Sequence, residues 1–209
     1  MELRMLGRSG LKVSPLCLGG NVFGWTIDEK RSFELLNAFV GAGFNFIDTA
    51  DVYSTWVPGH QGGESEAIIG NWMKSRGNRA SVVIATKVGM EMRGQKGLLK
   101  AHILASVEGS LQRLQTDYID LYQSHKADPE TPIEETLATY AELIAAGKVR
   151  AIGASNYTTA QLSTALEASV RLDLPRYESL QPEYNLCTRA PYEQELDPLC
   201  RKHGLGVFP

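Results

Sequence analysis

The chain has 209 residues, 43% of them hydrophobic, and a formal net charge of -3. This length suits one domain with a sizeable core, and the slightly acidic balance argues against a basic surface for nucleic acid. The chain contains no apolar signal segment and no run long enough to span a bilayer, so we expect a cytoplasmic protein that binds a small molecule. Cys17, Cys187 and Cys200 lack metal-ligand spacing, which favours reduced thiols over disulfides or a metal site.

A hairpin and seven short strands can be followed along the chain. The hairpin is predicted over residues 2–6 and 11–13, around the turn Arg8-Ser9-Gly10, and should plug one end of the main fold. Seven apolar segments have the length and residue types of buried strands. They are residues 16–20, 44–48, 81–87, 118–125, 149–154, 179–181 and 205–208.

Apolar residues at helical spacing separate consecutive strands. The predicted helices cover approximately residues 28–40, 64–74, 103–114, 132–146, 159–171 and 192–203. In the fourth, Thr131-Pro132-Ile133-Glu134 has the pattern of a capping box with proline at the first helical position. In the fifth, Leu162, Leu166 and Val170 are predicted to lie on the apolar face.

Strands that alternate with helices predict a parallel sheet, and short strands buried on both faces favour a closed barrel over an open sheet. The predicted fold class is therefore α/β, a (β/α)8 TIM barrel with an N-terminal β-hairpin, with residues 1–209 as a single domain. Seven strands are present and the last stops at Pro209, so strand 8 and the last helices are absent. We expect a C-terminally incomplete part of a longer protein rather than a natural fragment, because a chain that ends inside a core strand leaves an unpaired edge.

Polar side chains follow five successive predicted strands. They are Asp48, Lys87, His125, Ser155 with Asn156, and Gln181. Taken singly, each has an ordinary explanation, such as a helix cap for Asp48 or an ion pair for Lys87. In a barrel, however, these strand ends face one mouth, which is where such enzymes carry their active sites. The repetition therefore favours a site, and Tyr53 lies on the loop just beyond Asp48.

The four residues Asp48, Tyr53, Lys87 and His125 suit proton delivery to a carbonyl oxygen. Tyrosine, with an ordinary pKa of about 10, is a poor acid near neutrality unless a cation stabilises its phenolate. Lys87 can supply that charge, Asp48 can keep Lys87 protonated, and His125 can donate a hydrogen bond to the substrate. No Ser-His-Asp nucleophile pattern is present, and one histidine at the mouth does not make a multi-histidine metal site.

The residue types after the later strands suggest the source of hydride. Ser155, Asn156 and Gln181 can hydrogen-bond a carboxamide, which indicates a nicotinamide cofactor. No G-x-G-x-x-G motif follows the first strand, so a Rossmann site is not indicated.

The sequence resembles the aldo-keto reductase family in segments along essentially the whole chain. They are residues 43–53 (GFNFIDTADVY), 84–87 (IATK), 117–125 (DYIDLYQSH), 147–156 (GKVRAIGASN) and 181–185 (QPEYN). The resemblance implies a (β/α)8 barrel that binds NAD(P)H in extended form at the carboxyl ends of the strands. It also implies reduction of aldehydes or ketones, with NADPH (NADP+) as the expected cofactor and NADH as the alternative.

The resemblance also implies individual roles. Tyr53 would be the general acid, Lys87 and Asp48 would tune it, and His125 would orient the carbonyl. The implied cofactor contacts are Gly20, Asn21, Asp48, Ser155, Asn156 and Gln181. Candidate pocket residues are Phe23, Trp25 and Trp56, for which core or surface packing is an equal explanation.

Other functions stay open from the sequence. Barrels that look like these reductases also serve as channel-associated β-subunits, so a cofactor-sensing regulatory subunit with weak or no turnover is an alternative. A Schiff-base lyase that uses Lys87 is another. The family's residue that stacks on the nicotinamide and its adenosine-phosphate loop would follow Pro209, so residues 1–209 alone are expected to bind cofactor poorly.

Overall fold

The computed structural model describes residues 2–209. The chain begins with an antiparallel pair, in which β1 (Arg4–Met5) pairs with β2 (Lys12–Val13). Seven further strands form one parallel sheet, whose neighbours follow chain order. They are β3 (Cys17–Gly19), β4 (Phe46–Asp48), β5 (Val83–Val88), β6 (Ile119–Ser124), β7 (Val149–Ser155), β8 (Tyr177–Gln181) and β9 (Gly206–Val207).

An α-helix follows each of the first five strands of this sheet, and a sixth precedes β9. They are α1 (Glu29–Gly41), α2 (Glu64–Arg76), α3 (Lys100–Leu114), α4 (Ile133–Ala145), α5 (Thr159–Leu172) and α6 (Asp197–His203). Asp28 caps α1 by accepting a hydrogen bond from the N–H of Arg31. A 3₁₀ turn (Arg79–Ser81) precedes β5, and a π-helical turn (Tyr192–Leu196) leads into α6. The helix predicted over residues 192–203 is thus divided in two.

The sheet curls, so that strands far apart in its order meet inside. The rings of Phe46 on β4 and Phe208 after β9 are 4.8 Å apart between centroids. Gln181 on β8 donates a hydrogen bond to Asp48 on β4 at 3.3 Å. In a flat sheet these two strands would be separated by roughly 19 Å. The predicted barrel class is confirmed, with seven parallel strands within residues 2–209.

Side chains along the strands alternate between the inner and outer faces of the sheet. Outer-face residues pack under the helices, among them Ile47, Ile84, Tyr122 and Ile152. A separate inner cluster joins the hairpin to the beginning of the strands. It contains Leu6, Leu11, Val13, Phe46, Ala85, Leu121, Ala151 and Phe208. The hairpin therefore covers the amino-terminal end of the inner face, as predicted.

The predicted capping box at Thr131 was wrong. The hydroxyl of Thr131 donates to Oδ2 of Asp128 at 2.7 Å, and α4 begins after Pro132 without a side-chain cap. A capping box occurs instead at α5. There the Thr158 side chain accepts from the N–H of Gln161, and the Gln161 side chain accepts from the N–H of Thr158.

The prediction that Val170 lies on the apolar face of α5 was also wrong, since Val170 is 84% exposed. The buried side of α5 carries Leu162, Ala165, Leu166, Ala168 and Ser169. Small residues therefore complete this buried face.

The cysteines are free thiols. Burial raises the pKa of Cys200 to about 11, and burial together with the Asp48 charge raises the pKa of Cys17. Both side chains therefore stay protonated near neutrality, and their thiolates are not available as nucleophiles. No helix in the described part of the chain has the length and apolar character needed to cross a membrane.

Candidate active site

Lys87 lies at the centre of a polar cluster near the carboxyl ends of the strands. Its side chain is almost completely buried, and Nζ donates to Asp48 Oδ2 at 2.7 Å, to the carbonyl oxygen of Thr49 at 2.8 Å and to the hydroxyl of Tyr53 at 3.0 Å. An ammonium group has three N–H donors, so each of them is used. The sequence prediction that these side chains meet is therefore matched by a contact that fixes the lysine in one position.

Asp48 is held from a second side by two glutamines. Its Oδ1 accepts from Nε2 of Gln123 and its Oδ2 from Nε2 of Gln181, both at 3.3 Å. Gln123 also donates to Oε1 of Gln181 at 3.2 Å. The sequence interpretation missed Gln123, although a signal existed. Gln123 pairs in register with Lys87 and lies two residues beyond the inner residue Leu121, where a polar side chain must face the cluster.

The turn after β4 places Tyr53 over Lys87. Backbone hydrogen bonds anchor the turn to the neighbouring strand, from Thr49 to Ala85 and from Asp51 to Lys87. Ser54 follows in a left-handed conformation with φ of 75°, and its hydroxyl donates to the carbonyl oxygen of Phe23 at 3.1 Å. A residue other than glycine adopts this conformation only when its surroundings hold it there. The turn is therefore locked on both sides of Tyr53.

Electrostatics keep Lys87 charged and Tyr53 protonated. Burial works to lower the pKa of Lys87, but the Asp48 carboxylate and the Tyr53 hydroxyl outweigh it, and the net direction is upward. Burial raises the pKa of Tyr53, while the Lys87 ammonium lowers it and Asp48 adds to the rise. In the free protein burial outweighs the cation, so Tyr53 holds its proton more firmly than the lysine alone would predict. The pair is an acid beside a fixed positive charge.

His125 follows β6 directly and lies beside Tyr53, with 6.0 Å between ring centroids. Burial, together with the charges of Lys87 and Lys126, lowers the pKa of His125 to about 3. The imidazole is therefore neutral near pH 7. Among residues 2–209, no group forms a hydrogen bond with its Nδ1. A neutral imidazole carries one N–H donor and one acceptor.

Ser155, Asn156 and Gln181 lie together on one side of the cluster. The Ser155 hydroxyl and the N–H of Asn156 both donate to the carbonyl oxygen of Gln181, at 3.0 and 3.2 Å. The Asn156 side chain donates to the carbonyl oxygen of His125 at 3.0 Å. Asn156 has φ of 56°, a conformation that asparagine tolerates better than most residues. These residues therefore link β7 and β8 to the loop that carries His125.

The loop after β3 places the remaining predicted residues at different depths. Gly20 is buried, and its N–H donates to the carbonyl oxygen of Asp48 at 2.7 Å, whereas the side chain of Asn21 is exposed. Phe23 is fully buried in the core, so packing accounts for its side chain. Trp25 and Trp56 are about half exposed and meet edge to face at 5.4 Å between ring centroids.

The two tryptophans extend the aromatic surface of the site. The ring of Trp56 lies 6.2 Å from that of Tyr53, also in an edge-to-face arrangement. Trp25, Trp56 and Tyr53 thus form a continuous aromatic edge, which we call the aromatic rim. Exposed aromatic rings next to a buried polar cluster are typical of a site that binds an apolar group and orients one polar atom.

Comparison with known proteins identifies the family. A sequence model of the aldo/keto reductase family matches residues 15–209. An aldo-keto reductase from Bacillus subtilis is 39% identical over 204 residues, which cover 94% of this chain and 57% of the relative. A probable voltage-gated potassium channel subunit beta from Oryza sativa subsp. japonica is 39% identical over 211 residues, which cover 99% of this chain and 62% of the relative.

A norsolorinic acid reductase from Emericella nidulans is 37% identical over 217 residues, which cover 96% of this chain and 54% of the relative. The chain thus spans between 54% and 62% of the length of these three relatives. Similarity extends to enzymes and to a channel subunit at nearly the same identity.

Proposed function

This chain belongs to the aldo/keto reductase family, and from that premise we propose that it is an oxidoreductase that reduces aldehydes or ketones to alcohols. NADPH is the proposed cofactor, with NADH as the alternative, and Tyr53 is the proposed general acid. The observation that carries this proposal is the contact of one buried ammonium, Lys87 Nζ, with both Asp48 Oδ2 and the Tyr53 hydroxyl. We further propose that the protein acts in the cytoplasm on small molecules.

The proposed proton transfer follows from how the Tyr53 hydroxyl is bonded. Its oxygen accepts a hydrogen bond from Lys87, so its own proton is left to donate to a substrate oxygen. When bound, a reduced nicotinamide would supply hydride to the carbonyl carbon. The part played by Tyr53 is that its O–H bond breaks and its proton joins the carbonyl oxygen. The resulting phenolate is stabilised by the Lys87 ammonium 3.0 Å away.

Neutral His125 suits an orienting role. With a pKa of about 3 it is not a competing acid near neutrality, yet its ring N–H can donate to the carbonyl oxygen that Tyr53 protonates. Its backbone is fixed by the N–H of His125, which donates to Val88, and by the Asn156 side chain. We propose that this donor holds the carbonyl in line with the Tyr53 hydroxyl.

The residues at β7 and β8 fit a nicotinamide carboxamide in chemical type. Ser155 offers a hydroxyl, while Asn156 and Gln181 each offer an amide with donor and acceptor atoms. Oε1 of Gln123 is buried without a hydrogen-bond partner among residues 2–209, which leaves an acceptor in the same cluster. We propose that Ser155, Asn156 and Gln181 hold the carboxamide, and that Gly20 and Asn21 border the cofactor from the opposite loop.

The aromatic rim supports an apolar substrate pocket. Trp25 and Trp56 present rings that water covers in the free protein, and covering them with an apolar substrate is favourable. We therefore propose Trp25 and Trp56 as pocket residues. Phe23 is fully buried in the core, so its ring does not line this pocket.

Replacing Tyr53 with phenylalanine tests the proposal. In the full-length protein, Tyr53→Phe should lower carbonyl reduction by at least about 100-fold, the scale of general-acid catalysis, and largely spare NADPH binding. The matched control is Tyr118→Phe, at the opposite end of β6, which should keep its turnover. Carbonyl reduction is followed by loss of NADPH absorbance, and binding by quenching of protein fluorescence. Undiminished turnover in Tyr53→Phe would refute the assigned role.

A regulatory subunit is the second candidate function, because a channel-subunit relative matches at 39% identity. A cofactor sensor would bind NADPH and turn over slowly or not at all. Single-turnover reduction of a panel of aldehydes and quinones separates the two functions.

The Schiff-base alternative is less well supported. Lys87 donates all three of its N–H groups, and its raised pKa leaves no amine lone pair for attack on a carbonyl.

A further inference from the structure

Asp51 is a buried acid for which the proposed chemistry has no use. Its side chain is 1% exposed, and within residues 2–209 neither Oδ1 nor Oδ2 has a hydrogen-bond partner of normal geometry. The backbone N–H of the next residue, Val52, is the one donor that lowers the pKa of the Asp51 carboxyl. Buried polar side chains are nearly always hydrogen-bonded, and an isolated buried carboxylate is strongly unfavourable. Core packing alone therefore does not explain an aspartate at this position.

The backbone of Asp51 belongs to the turn that carries Tyr53. The N–H of Asp51 donates to the carbonyl oxygen of Lys87 at 3.2 Å, and the N–H of Tyr53 donates to the carbonyl oxygen of Ala50 at 3.3 Å. Gly62 packs against the same turn, since a Cβ on it would lie 3.0 Å from the carbonyl oxygen of Asp51. A movement of Asp51 would therefore reach both ends of the contact between Lys87 and Tyr53.

Charged and titratable groups face Asp51 from several elements of the fold. They are Glu66 on α2, Arg113 on α3, Lys87 on β5, Tyr122 on β6 and Tyr140 on α4. Tyr122 is fully buried, and its hydroxyl also lacks a hydrogen-bond partner in the part of the chain that the structure describes. An acid that keeps its proton brings a donor into this region, whereas a carboxylate brings only a further acceptor.

The positive charge that acts most strongly on Asp51, that of Arg113, is already paired with another carboxylate. Glu66 is fully buried and accepts from Arg113 Nε at 2.7 Å and from Thr86 Oγ1 at 2.6 Å. Burial and the Glu66 charge raise the pKa of Asp51 to about 8, against the opposing effects of the Arg113 charge, the Val52 N–H and the Lys87 charge. One arginine would have to balance two buried carboxylates if Asp51 ionised.

We propose that Asp51 is a positioning residue for Tyr53, which keeps its proton so that the turn can pack against Glu66 and Arg113. Ionisation sets the Asp51 and Glu66 carboxylates against each other in the core. The turn then moves outward, and the Tyr53 hydroxyl moves away from Lys87. This inference rests on the proposed role of Tyr53, but two of its measurements need no turnover.

The first experiment is a carbon-13 NMR titration of aspartate carboxyl groups in the wild-type protein. One carboxyl should titrate near pH 8, and it should be missing from Asp51→Asn and present in the surface control Asp117→Asn. If every aspartate carboxyl titrates below about pH 6, the proposal is overturned. The wild-type titration decides this even if Asp51→Asn fails to fold.

The second experiment follows the Tyr53 ring carbon bonded to the hydroxyl, assigned by its absence from Tyr53→Phe. In wild type its chemical shift should change with the same midpoint as the aspartate, and in Asp51→Asn this step should disappear. A Tyr53 signal that ignores the aspartate titration would contradict the positioning role.

A kinetic readout completes the test. Wild-type kcat should fall about tenfold per pH unit above the Asp51 midpoint, and this decline should be absent from Asp51→Asn. An alkaline decline that persists unchanged in Asp51→Asn would overturn the positioning role. If Tyr53→Phe keeps full activity while the NMR coupling is present, the proposed catalytic role fails and the structural coupling stands.

Discussion

Replacing Lys87 with methionine tests how the buried ion pair is balanced. Methionine keeps most of the apolar stem but removes the ammonium, which leaves Asp48, 4% exposed, without its 2.7 Å partner. The remaining side-chain contacts of Asp48 are two amide groups at 3.3 Å, from Gln123 and Gln181. Loss of one partner from a buried ion pair costs about 3–5 kcal/mol, so we expect the free energy of unfolding to fall by about that amount at pH 7.

A double variant separates two contributions to this loss, namely the lost attraction between Lys87 and Asp48 and the cost of leaving the Asp48 carboxylate buried without a cation. Adding Asp48→Asn to Lys87→Met removes the uncompensated carboxylate, so the double variant should be more stable than Lys87→Met alone. The loss in Lys87→Met should also shrink at acid pH, because protonation neutralises an unpaired buried carboxylate. The proposed function adds that carbonyl reduction should be lost in both variants, since neither retains the ammonium that would stabilise the Tyr53 phenolate.

Urea unfolding followed by circular dichroism at pH 5 and pH 8 measures these differences. The control is Lys148→Met, which removes a lysine paired with Glu108 at the surface. Such pairs contribute less than about 1 kcal/mol, so the control should unfold nearly as wild type does. A double variant less stable than Lys87→Met would refute the reasoning, because the unpaired Asp48 carboxylate would then not be the cause of the lost stability.

Two further predictions concern the surroundings of the site. By proton NMR, His125 should stay neutral from pH 5 to pH 9, because its pKa is depressed to about 3. Its contribution to the free energy of unfolding is therefore fully present above about pH 6.5, the ordinary pKa of histidine, and is lost as pH falls towards 3. An imidazole that titrates near pH 6.5 would contradict this. Gly70→Ala should destabilise the fold by several kcal/mol, because its Cβ would lie 2.1 Å from the carbonyl oxygen of Arg113. Gly41 has open space around it, so Gly41→Ala should have the thermal unfolding midpoint of wild type or a slightly higher one. Equal midpoints for Gly70→Ala and Gly41→Ala would refute the predicted clash at Gly70.

The strand and helix order could be predicted because each unit repeats the same pattern of apolar run, polar exit and amphipathic helix. The meeting of Lys87 with Asp48 and Tyr53 was predictable for the same reason, since parallel strand ends must share one mouth. These predictions depend on features that the barrel repeats several times. They therefore survive errors of one or two residues at element boundaries.

Details that depend on competition between partners were not predictable. Thr131 and Thr158 both precede a residue suited to a capping box, but Asp128 takes the hydroxyl of Thr131. The net upward direction of the Tyr53 pKa could not be read from the sequence, because burial, which a motif does not reveal, outweighs the Lys87 charge. For Gln123 the two-residue alternation of β6 gave the inner face, but its partners Asp48 and Gln181 depend on the curl that brings β6 towards β4 and β8.

The two-residue alternation along β4, β5 and β6 constrains how this protein can be altered. Phe46 and Asp48 share the inner face, as do Ala85 and Lys87, so each strand supplies one residue to the apolar layer and the next inner residue to the polar cluster. Inserting or deleting a single residue between them would turn one of the two outward. The lengths of these strands therefore cannot change at this end of the barrel without disrupting the apolar layer or the polar cluster. Diversity in chemistry must come from substitutions in the cluster and from the length of the loops beyond it.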